Sequence, residues 1–139
     1  MKKDYAYAIE LPYWQAPNDY VHIESIGDSL IISFPLWRAS TKYSRFKGVV
    51  EFTEVWATRY ERNKDRRYYT PCGENDFASC YWVVPVSSWL EKLENERTEH
   101  FTDWKLYDSG TYTHYIVQSH DFYIEIIAKK ITISRKLKK

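Results

Sequence analysis

A histidine and a glutamate late in the chain are the residues best placed to handle a proton. His114 and Glu125 lie on either side of the dipeptide His120-Asp121, in a stretch rich in aromatic and β-branched residues. A histidine held beside a carboxylate can act as a general base or bind a polar ligand. The commoner arrangement is a cross-strand polar pair on a solvated face, which has no chemical role.

The segment 112–128 must position this pair, and its pattern predicts a β-hairpin. Aromatic and β-branched residues suit a pleated surface, and a polar two-residue break that contains an aspartate suits a turn. With His120-Asp121 as the loop, Val117 lies opposite Ile124 on an apolar face, because side chains alternate along a strand. The histidine and the glutamate then become diagonal neighbours on the reverse face. That face carries Tyr112, His114, Ile116, Gln118, Tyr123, Glu125 and Ile127.

Two other groups of reactive residues carry weaker patterns. His120-Asp121 at the hairpin tip would need further ligands converging on it to hold a metal ion. Cys72 and Cys80 are too far apart for the Cys-x-x-Cys spacing of a redox pair. We therefore expect no metal site and no cofactor.

Two basic stretches favour a different chemistry. In 59–69, basic residues are interleaved with tyrosines, as in surfaces that bind single-stranded nucleic acid through phosphate contacts and base stacking. The stretch 129–139 holds six lysines or arginines and no acid. The whole chain, however, has 20 basic and 19 acidic residues and a net charge of +1. Because this balance attracts neither nucleic acid nor an anionic membrane, nucleic-acid binding is an alternative and not the first choice.

The composition predicts a single domain over 1–139, which is long enough to bury a core. The 13 tyrosines and 6 tryptophans combine apolar rings with polar tips, so they serve cores and interfaces equally well. Two cysteines provide no disulfide framework, and the sequence has no secretion signal or apolar run of membrane-spanning length. We expect a cytoplasmic protein with reduced thiols.

The pattern of elements predicts an α+β fold with a predominantly antiparallel sheet, and a curved sheet or a partly closed barrel are both compatible with it. One α-helix is expected at about 88–100, with Ser88 as N-cap and Glu91 as its capping-box partner. Gly27-Asp28 is expected to form a two-residue hairpin turn. Strands are expected at 5–11, 20–26, 29–37, 48–60, 77–84, 112–119, 122–128 and 131–134, with a short strand at 103–107, a connection at 38–47 and a turn at 129–130.

Aromatic residues and arginine dominate the hot spots of protein interfaces. The first hypothesis is therefore a small non-catalytic protein-binding module, such as an inhibitor or an immunity-type antidote. The expected contact residues are Tyr112, His114, Gln118, Tyr123 and Glu125, with Arg62, Arg66, Arg67, Tyr68 and Tyr69 as a second patch.

Two alternatives remain beside this hypothesis. One is single-stranded nucleic-acid binding through 59–69 and 129–139, and the other is a small-ligand-binding barrel or small hydrolytic enzyme. The sequence has no phosphate-binding glycine loop, Gly-x-Ser-x-Gly or His-Glu-x-x-His motif, which favours a protein that is not an enzyme. An exposed edge strand could also pair two copies of the chain into a homodimer.

Overall fold

Among the residues that the structure describes, seven strands form one antiparallel sheet and two short strands form a separate parallel pair. A computed structural model of the chain describes residues 3–9, 21–39, 42–62, 68–69, 81–119 and 122–137, with only the backbone described at 37–39, 42–44, 119 and 122. The strands are β1 (Asp4–Tyr5), β2 (Tyr7–Ala8), β3 (His22–Ile26), β4 (Ser29–Ala39), β5 (Lys42–Arg62), β6 (Tyr68–Tyr69), β7 (Tyr81–Val84), β8 (Thr113–Ser119) and β9 (Phe122–Leu137), and the helices are α1 (Ser88–His100) and α2 (Trp104–Tyr107). The large sheet has the order β2-β7-β8-β9-β5-β4-β3. The predicted α+β fold with a mainly antiparallel sheet is confirmed.

Two hairpins have the register that the sequence predicts. In β8–β9, Ile116 lies opposite Glu125, so the reverse face of this hairpin has the expected composition. In β3–β4, Gly27 and Asp28 form the two-residue turn. Gly27 has a φ of 60°, the left-handed conformation that a type II′ turn requires at its first central position.

The large sheet curls strongly around its main core. Phe34 in β4 and Tyr81 in β7 have ring centroids 5.7 Å apart, although four strand-to-strand steps separate their strands. In a flat sheet these strands would be roughly 19 Å apart, because neighbouring strands lie about 4.8 Å from each other. Among the described strands the sheet nevertheless remains open, with β2 and β3 as its ends. The concave side holds the main core, formed by Leu30, Ile32, Phe34, Leu36, Val50, Phe52, Tyr81, Val117, Ile124, Ile126 and Ala128.

Gly48 in β5 permits the close packing of this core. A Cβ atom at this position would lie 2.3 Å from the Phe34 ring, which is shorter than any van der Waals contact. The Phe34 ring is buried in the main core, so a side chain at position 48 would force this ring to shift. Glycine at this position lets the ring cross β5 closely.

The convex side of the sheet is also covered. A second core consists of Ala6, Tyr68, Trp82, Val84, Ile116 and Tyr123. Tyr68 belongs to the parallel pair β1–β6, and Trp89 of α1 packs its ring against His114 of β8 at 5.2 Å. The reverse face of the β8–β9 hairpin is thus buried, and the expectation that its polar pair lies on a solvated face is wrong.

Two segments predicted to be connections are instead parts of strands. β4 continues to Ala39 and β5 begins at Lys42, so most of 38–47 pairs as a sheet. The dipeptide Lys129-Lys130, predicted as a turn, lies inside β9. Backbone pairing with a neighbouring strand does not require apolar alternation, so polar residues do not mark the ends of these strands.

Glu54 explains why the apolar alternation changes phase in the middle of β5. Its φ of 54° is left-handed, which is unusual for a residue with a side chain. Phe52 and Val55 consequently contact the same core, although a regular strand would place them on opposite faces. The alternation of β9 shifts in the same region. Ile126 and Ile131 both contact the main core, although their odd separation would place them on opposite faces of a regular strand.

Helix α1 has the predicted bounds but a different cap. The side chain of Ser87, not of Ser88, accepts a hydrogen bond from a backbone N–H of the first turn, that of Leu90, at 3.0 Å. The Ser88 hydroxyl instead donates to Asp4 at 2.7 Å, which attaches the helix to β1. Because Leu90, and not Glu91, is then the third residue of the helix, the predicted capping box between Ser88 and Glu91 is wrong.

The segment 103–107, predicted as a short strand, contains the single-turn helix α2. Its Trp104 is buried against Trp56, with the ring centroids 5.6 Å apart, so packing of this indole outweighs the strand-like composition. Neither described helix has the length and apolarity needed to cross a membrane.

Candidate functional site

Five polar side chains from five different elements or loops meet beneath α1 and form what we call the buried polar cluster. Its members are Arg59, Tyr68, Ser87, His114 and Glu125. His114 and Glu125 are 0% exposed, whereas the Arg59 side chain remains 25% exposed. The β8–β9 register brings the histidine to the glutamate, and the β5–β9 register places Arg59 directly opposite Glu125.

Glu125 is the common acceptor of this cluster. Its Oε2 atom accepts a hydrogen bond from Arg59 Nε at 2.5 Å, and its Oε1 atom accepts one from Arg59 Nη2 at 3.2 Å. The Tyr68 hydroxyl and His114 Nε2 also donate to Oε1, the latter at 2.7 Å. A buried carboxylate is stable only when it is paired and hydrogen-bonded, and these four contacts meet that requirement.

The partners of His114 determine which of its ring nitrogens carries the proton. Ionised Glu125 has no proton to give, so Nε2 must be the donor in their contact. In the neutral ring, Nδ1 is then an acceptor, and the Ser87 hydroxyl lies 2.7 Å from it. Ser87 accepts from Leu90 N with the same oxygen, so its own proton can point at the imidazole.

Burial and hydrogen bonding act in opposite directions on the pKa of Glu125. Burial alone would raise the pKa of Glu125, but hydrogen bonds from His114, Arg59 and Tyr68 outweigh it and lower the pKa of this carboxyl. Burial, reinforced by the charge of Glu125, raises the pKa of the Tyr68 phenol far above its ordinary value. The carboxylate is therefore ionised and the phenol protonated at neutral pH.

Trp89 covers one side of the cluster. The Arg59 guanidinium lies 4.0 Å from the centre of the Trp89 ring, within the range of a cation–π contact. The same indole meets the His114 ring edge to face. This contact holds the first turn of α1 over the charged groups and limits the access of water to them.

The structure separates the other members of the predicted hairpin face. Tyr112 donates to Asp108 at 2.5 Å, and its ring packs at a tilt against Trp56, so it belongs to a different cluster. Tyr123 is buried and donates to Glu61 at 2.9 Å. Gln118 is half-buried, and its Oε1 atom has no hydrogen-bond partner among the described residues.

The second predicted patch is divided in a similar way. Tyr68 points into the protein and Tyr69 out of it, because neighbouring residues of a strand face opposite sides. Arg62 is exposed at the end of β5. Arg66 and Arg67 lie outside the described residues, as do the hairpin tip His120-Asp121 and the cysteines Cys72 and Cys80.

Tyr69 joins two residues that the sequence did not single out, and these form what we call the tyrosine patch. Tyr5, Tyr7 and Tyr69 are 53%, 41% and 45% exposed. The Tyr5 ring lies 5.3 Å from that of Tyr69 and 6.5 Å from that of Tyr7, and the Lys3 ammonium lies 5.3 Å from the centre of the Tyr69 ring. The Tyr-x-Tyr spacing at the start of the chain was the available signal, because it places two phenols on one side of an extended segment.

A second group of charges, which we call the surface polar cluster, is centred on Asp108. Arg97, Tyr112 and Lys129 all donate to its carboxylate. Hydrogen bonds from Lys129, Tyr112 and Arg97 lower the pKa of Asp108 well below its ordinary value. The cluster borders an open cleft of about 520 Å³, lined by residues 107–111 together with Glu54, Lys129 and Lys130.

Some cations of the two basic stretches already have partners inside the protein. Arg59 is bound to Glu125, and Lys129 to Asp108. Lys130 is largely exposed but lies 3.7 Å from Glu54. These pairings leave less positive charge for phosphate groups than the sequence suggests.

The chain matches no protein-family model, no curated protein and no solved structure. What it does must therefore be inferred from its own residues.

Proposed function

We propose that this chain is a protein-binding module, of the inhibitor or immunity type, and that the tyrosine patch is the centre of its contact surface. The observation that carries the proposal is the packing of three exposed phenol rings against one another on β1, β2 and β6. Tyrosine supplies a large contact area at a small cost in conformational entropy, and exposed clusters of such rings mark interaction sites.

The buried polar cluster supports this surface from below. Tyr68 donates to Glu125 and accepts from Arg59 at 3.0 Å, so the strand that carries Tyr69 is fixed at its neighbouring residue. On the other strand, Asp4 accepts two hydrogen bonds from Ser88 at 2.7 Å each. A patch fixed in this way loses little freedom when a partner binds.

The charges near the patch favour a partner rich in carboxylates or carbonyl groups. The exposed phenol hydroxyls can donate hydrogen bonds to a partner, and the Lys3 ammonium adds positive charge beside Tyr69, whereas the acid nearest in sequence, Asp4, is engaged with α1. We place the interaction in the cytoplasm, which is supported by a cysteine content that gives no disulfide framework.

Quantitative affinity enrichment from the native cell, followed by calorimetry with the purified partner, tests the proposal. We expect the double variant Tyr5→Ala, Tyr69→Ala to lose the partner, with an affinity at least ~30-fold lower, since two hot-spot residues contribute about 2 kcal/mol or more. Tyr107→Ala is the matched control, because this tyrosine is 79% exposed but lies in α2.

Equal enrichment by the wild type and the double variant would refute the tyrosine patch as the contact surface. Loss of binding in the Tyr107→Ala variant alone would move the surface to α2. If the partner is a second copy of the chain, light scattering will report a dimer that the double variant does not form. A salt-sensitive affinity for single-stranded oligonucleotides would instead support the nucleic-acid alternative.

A further inference from the structure

Ser87, His114 and Glu125 form a continuous chain of hydrogen bonds that ends at the surface. The Ser87 oxygen lies 2.7 Å from His114 Nδ1, and His114 Nε2 lies 2.7 Å from Glu125 Oε1. We propose that Ser87 is a nucleophile that accepts an acyl group, with His114 as its general base and Glu125 as the group that orients the imidazole. This activity is independent of binding at the tyrosine patch.

The three residues divide the roles of nucleophile, base and orienting group among them. An activated serine requires a base within hydrogen-bond distance, and the base must in turn be oriented by a third group. The contacts with Glu125 fix the tautomer in which Nδ1 can accept the serine proton. Serine here approaches Nδ1 and the carboxylate Nε2, the reverse of the usual triad, and Nδ1 can accept the serine proton because Nε2 carries the proton of the neutral ring.

Exposure to solvent increases from Glu125 and His114 to Ser87. Glu125 and His114 are completely buried, whereas Ser87 is half-buried and follows Val86, which is 82% exposed. The base and its orienting acid are thus shielded from water, and Ser87 is the member of the three that is partly exposed. Because the neighbouring Val86 is apolar and exposed, we assign a carboxylic ester with a small apolar acyl group as the substrate class.

Ser87 is the N-cap residue of α1, and this position favours a nucleophilic role. The helix is 13 residues long, and its N-terminus carries partial positive charge that stabilises a developing negative charge. The backbone N–H of Leu90 already donates to the Ser87 oxygen at 3.0 Å and would stabilise that oxygen as it loses its proton.

The reaction follows from these positions. The proton of Ser87 moves to His114 Nδ1 as its oxygen bonds to the ester carbonyl carbon, and the bond from that carbon to the alcohol oxygen breaks as His114 returns the proton to the leaving alkoxide. A water molecule then attacks the acyl-serine and gives its proton to the same nitrogen. The carboxylic acid leaves as the proton returns to Ser87, so hydrolysis needs no further reactant.

The full chain is tested with a fluorophosphonate probe and with p-nitrophenyl acetate. We expect one probe molecule per chain, attached to Ser87, and an acetate-ester hydrolysis rate that falls by ~10²-fold or more in Ser87→Ala. Ser25→Ala is the matched control, because Ser25 is exposed in β3 and lies outside the buried polar cluster. It should be labelled and should hydrolyse the ester like the wild type.

Loss of the helix cap is separated from loss of the nucleophile by Ser87→Asp. Aspartate is as good an N-cap as serine but cannot form the acyl-serine. This variant should retain the circular dichroism spectrum of the wild type and lose both labelling and hydrolysis. Absence of labelling in the wild type, labelling at another residue, or equal hydrolysis by the wild type and Ser87→Asp would each overturn the proposal.

Discussion

The two polar clusters are built from similar groups but differ in their exposure to water. Glu125 and Asp108 each accept hydrogen bonds from an arginine and a tyrosine, and each has a lowered pKa. Glu125 is completely buried, whereas the Asp108 side chain is 21% exposed. Water can replace a lost partner at Asp108 but not at Glu125. Similar contacts should therefore contribute very different amounts to the free energy of unfolding. Substitutions in the two clusters can test this difference.

The largest effect is expected for Glu125→Ala. The substitution leaves Arg59, Tyr68 and His114 beneath α1 without their acceptor. Breaking a buried ion pair costs about 3–5 kcal/mol in the free energy of unfolding. Urea denaturation measures this loss, and a change under 1 kcal/mol would mean that water reaches the cluster.

Arg59→Met is expected to have a smaller effect, of about 2 kcal/mol, because the side chain is a quarter exposed and methionine keeps much of its apolar stem. A double-mutant cycle with Glu125→Gln should give a coupling energy of about 1 kcal/mol or more. Additive effects would show that Arg59 acts through its contact with Trp89 and not through Glu125.

The acid dependence of stability compares the clusters directly. Since the pKa of Glu125 is lower in the folded chain than its ordinary value of 4.5, its ionised form stabilises the fold above that pH, and this contribution is lost as the pH falls below it. Asp108 acts in the same direction. In 1 M salt the contribution of Asp108 should shrink, because it is exposed to screening, while that of Glu125 should persist.

Unfolding curves from pH 6 to pH 2, at low and high salt, separate the two groups. We expect Glu125→Gln to reduce the loss of stability at acid pH under both salt conditions. Asp108→Asn should reduce that loss only at low salt. The opposite assignment would show that the surface cluster is the more shielded of the two.

The smallest effect is expected for Asp108→Ala, within about 1 kcal/mol, because exposed ion pairs contribute little to the free energy of unfolding. Thermal denaturation should show a shift of only a few degrees. A loss as large as that of Glu125→Ala would contradict the comparison between the clusters.

The sequence predicted the local part of the buried cluster but not its surroundings. The pairing of His114 with Glu125 follows from the two-residue loop and the period of the strand, both of which lie within one hairpin. Their burial depends on α1 and β6, whose approach no local pattern encodes. Arg59 joins them through the β5–β9 pairing, which connects distant parts of the chain.

Strand alternation and helix-capping patterns also gave wrong predictions where the conformation or contacts of a single residue decide the structure. The left-handed Glu54 shifts the phase of β5, which alternation cannot anticipate in a residue other than glycine. At α1 two adjacent serines compete for the cap, and the tertiary contacts of Ser87 with His114 and of Ser88 with Asp4 decide between them.

The pairing of β5 with β9 has a consequence for synthesis of the chain. Phe46 pairs with Leu137 and Arg62 with Phe122, so the middle of the sheet joins residues that are made far apart in time. Until β9 leaves the ribosome, one long edge of β5 has no neighbour in the nascent chain. Such high contact order slows folding and leaves β5 open to intermolecular pairing, so chaperones that shield strand edges should raise the yield of this protein.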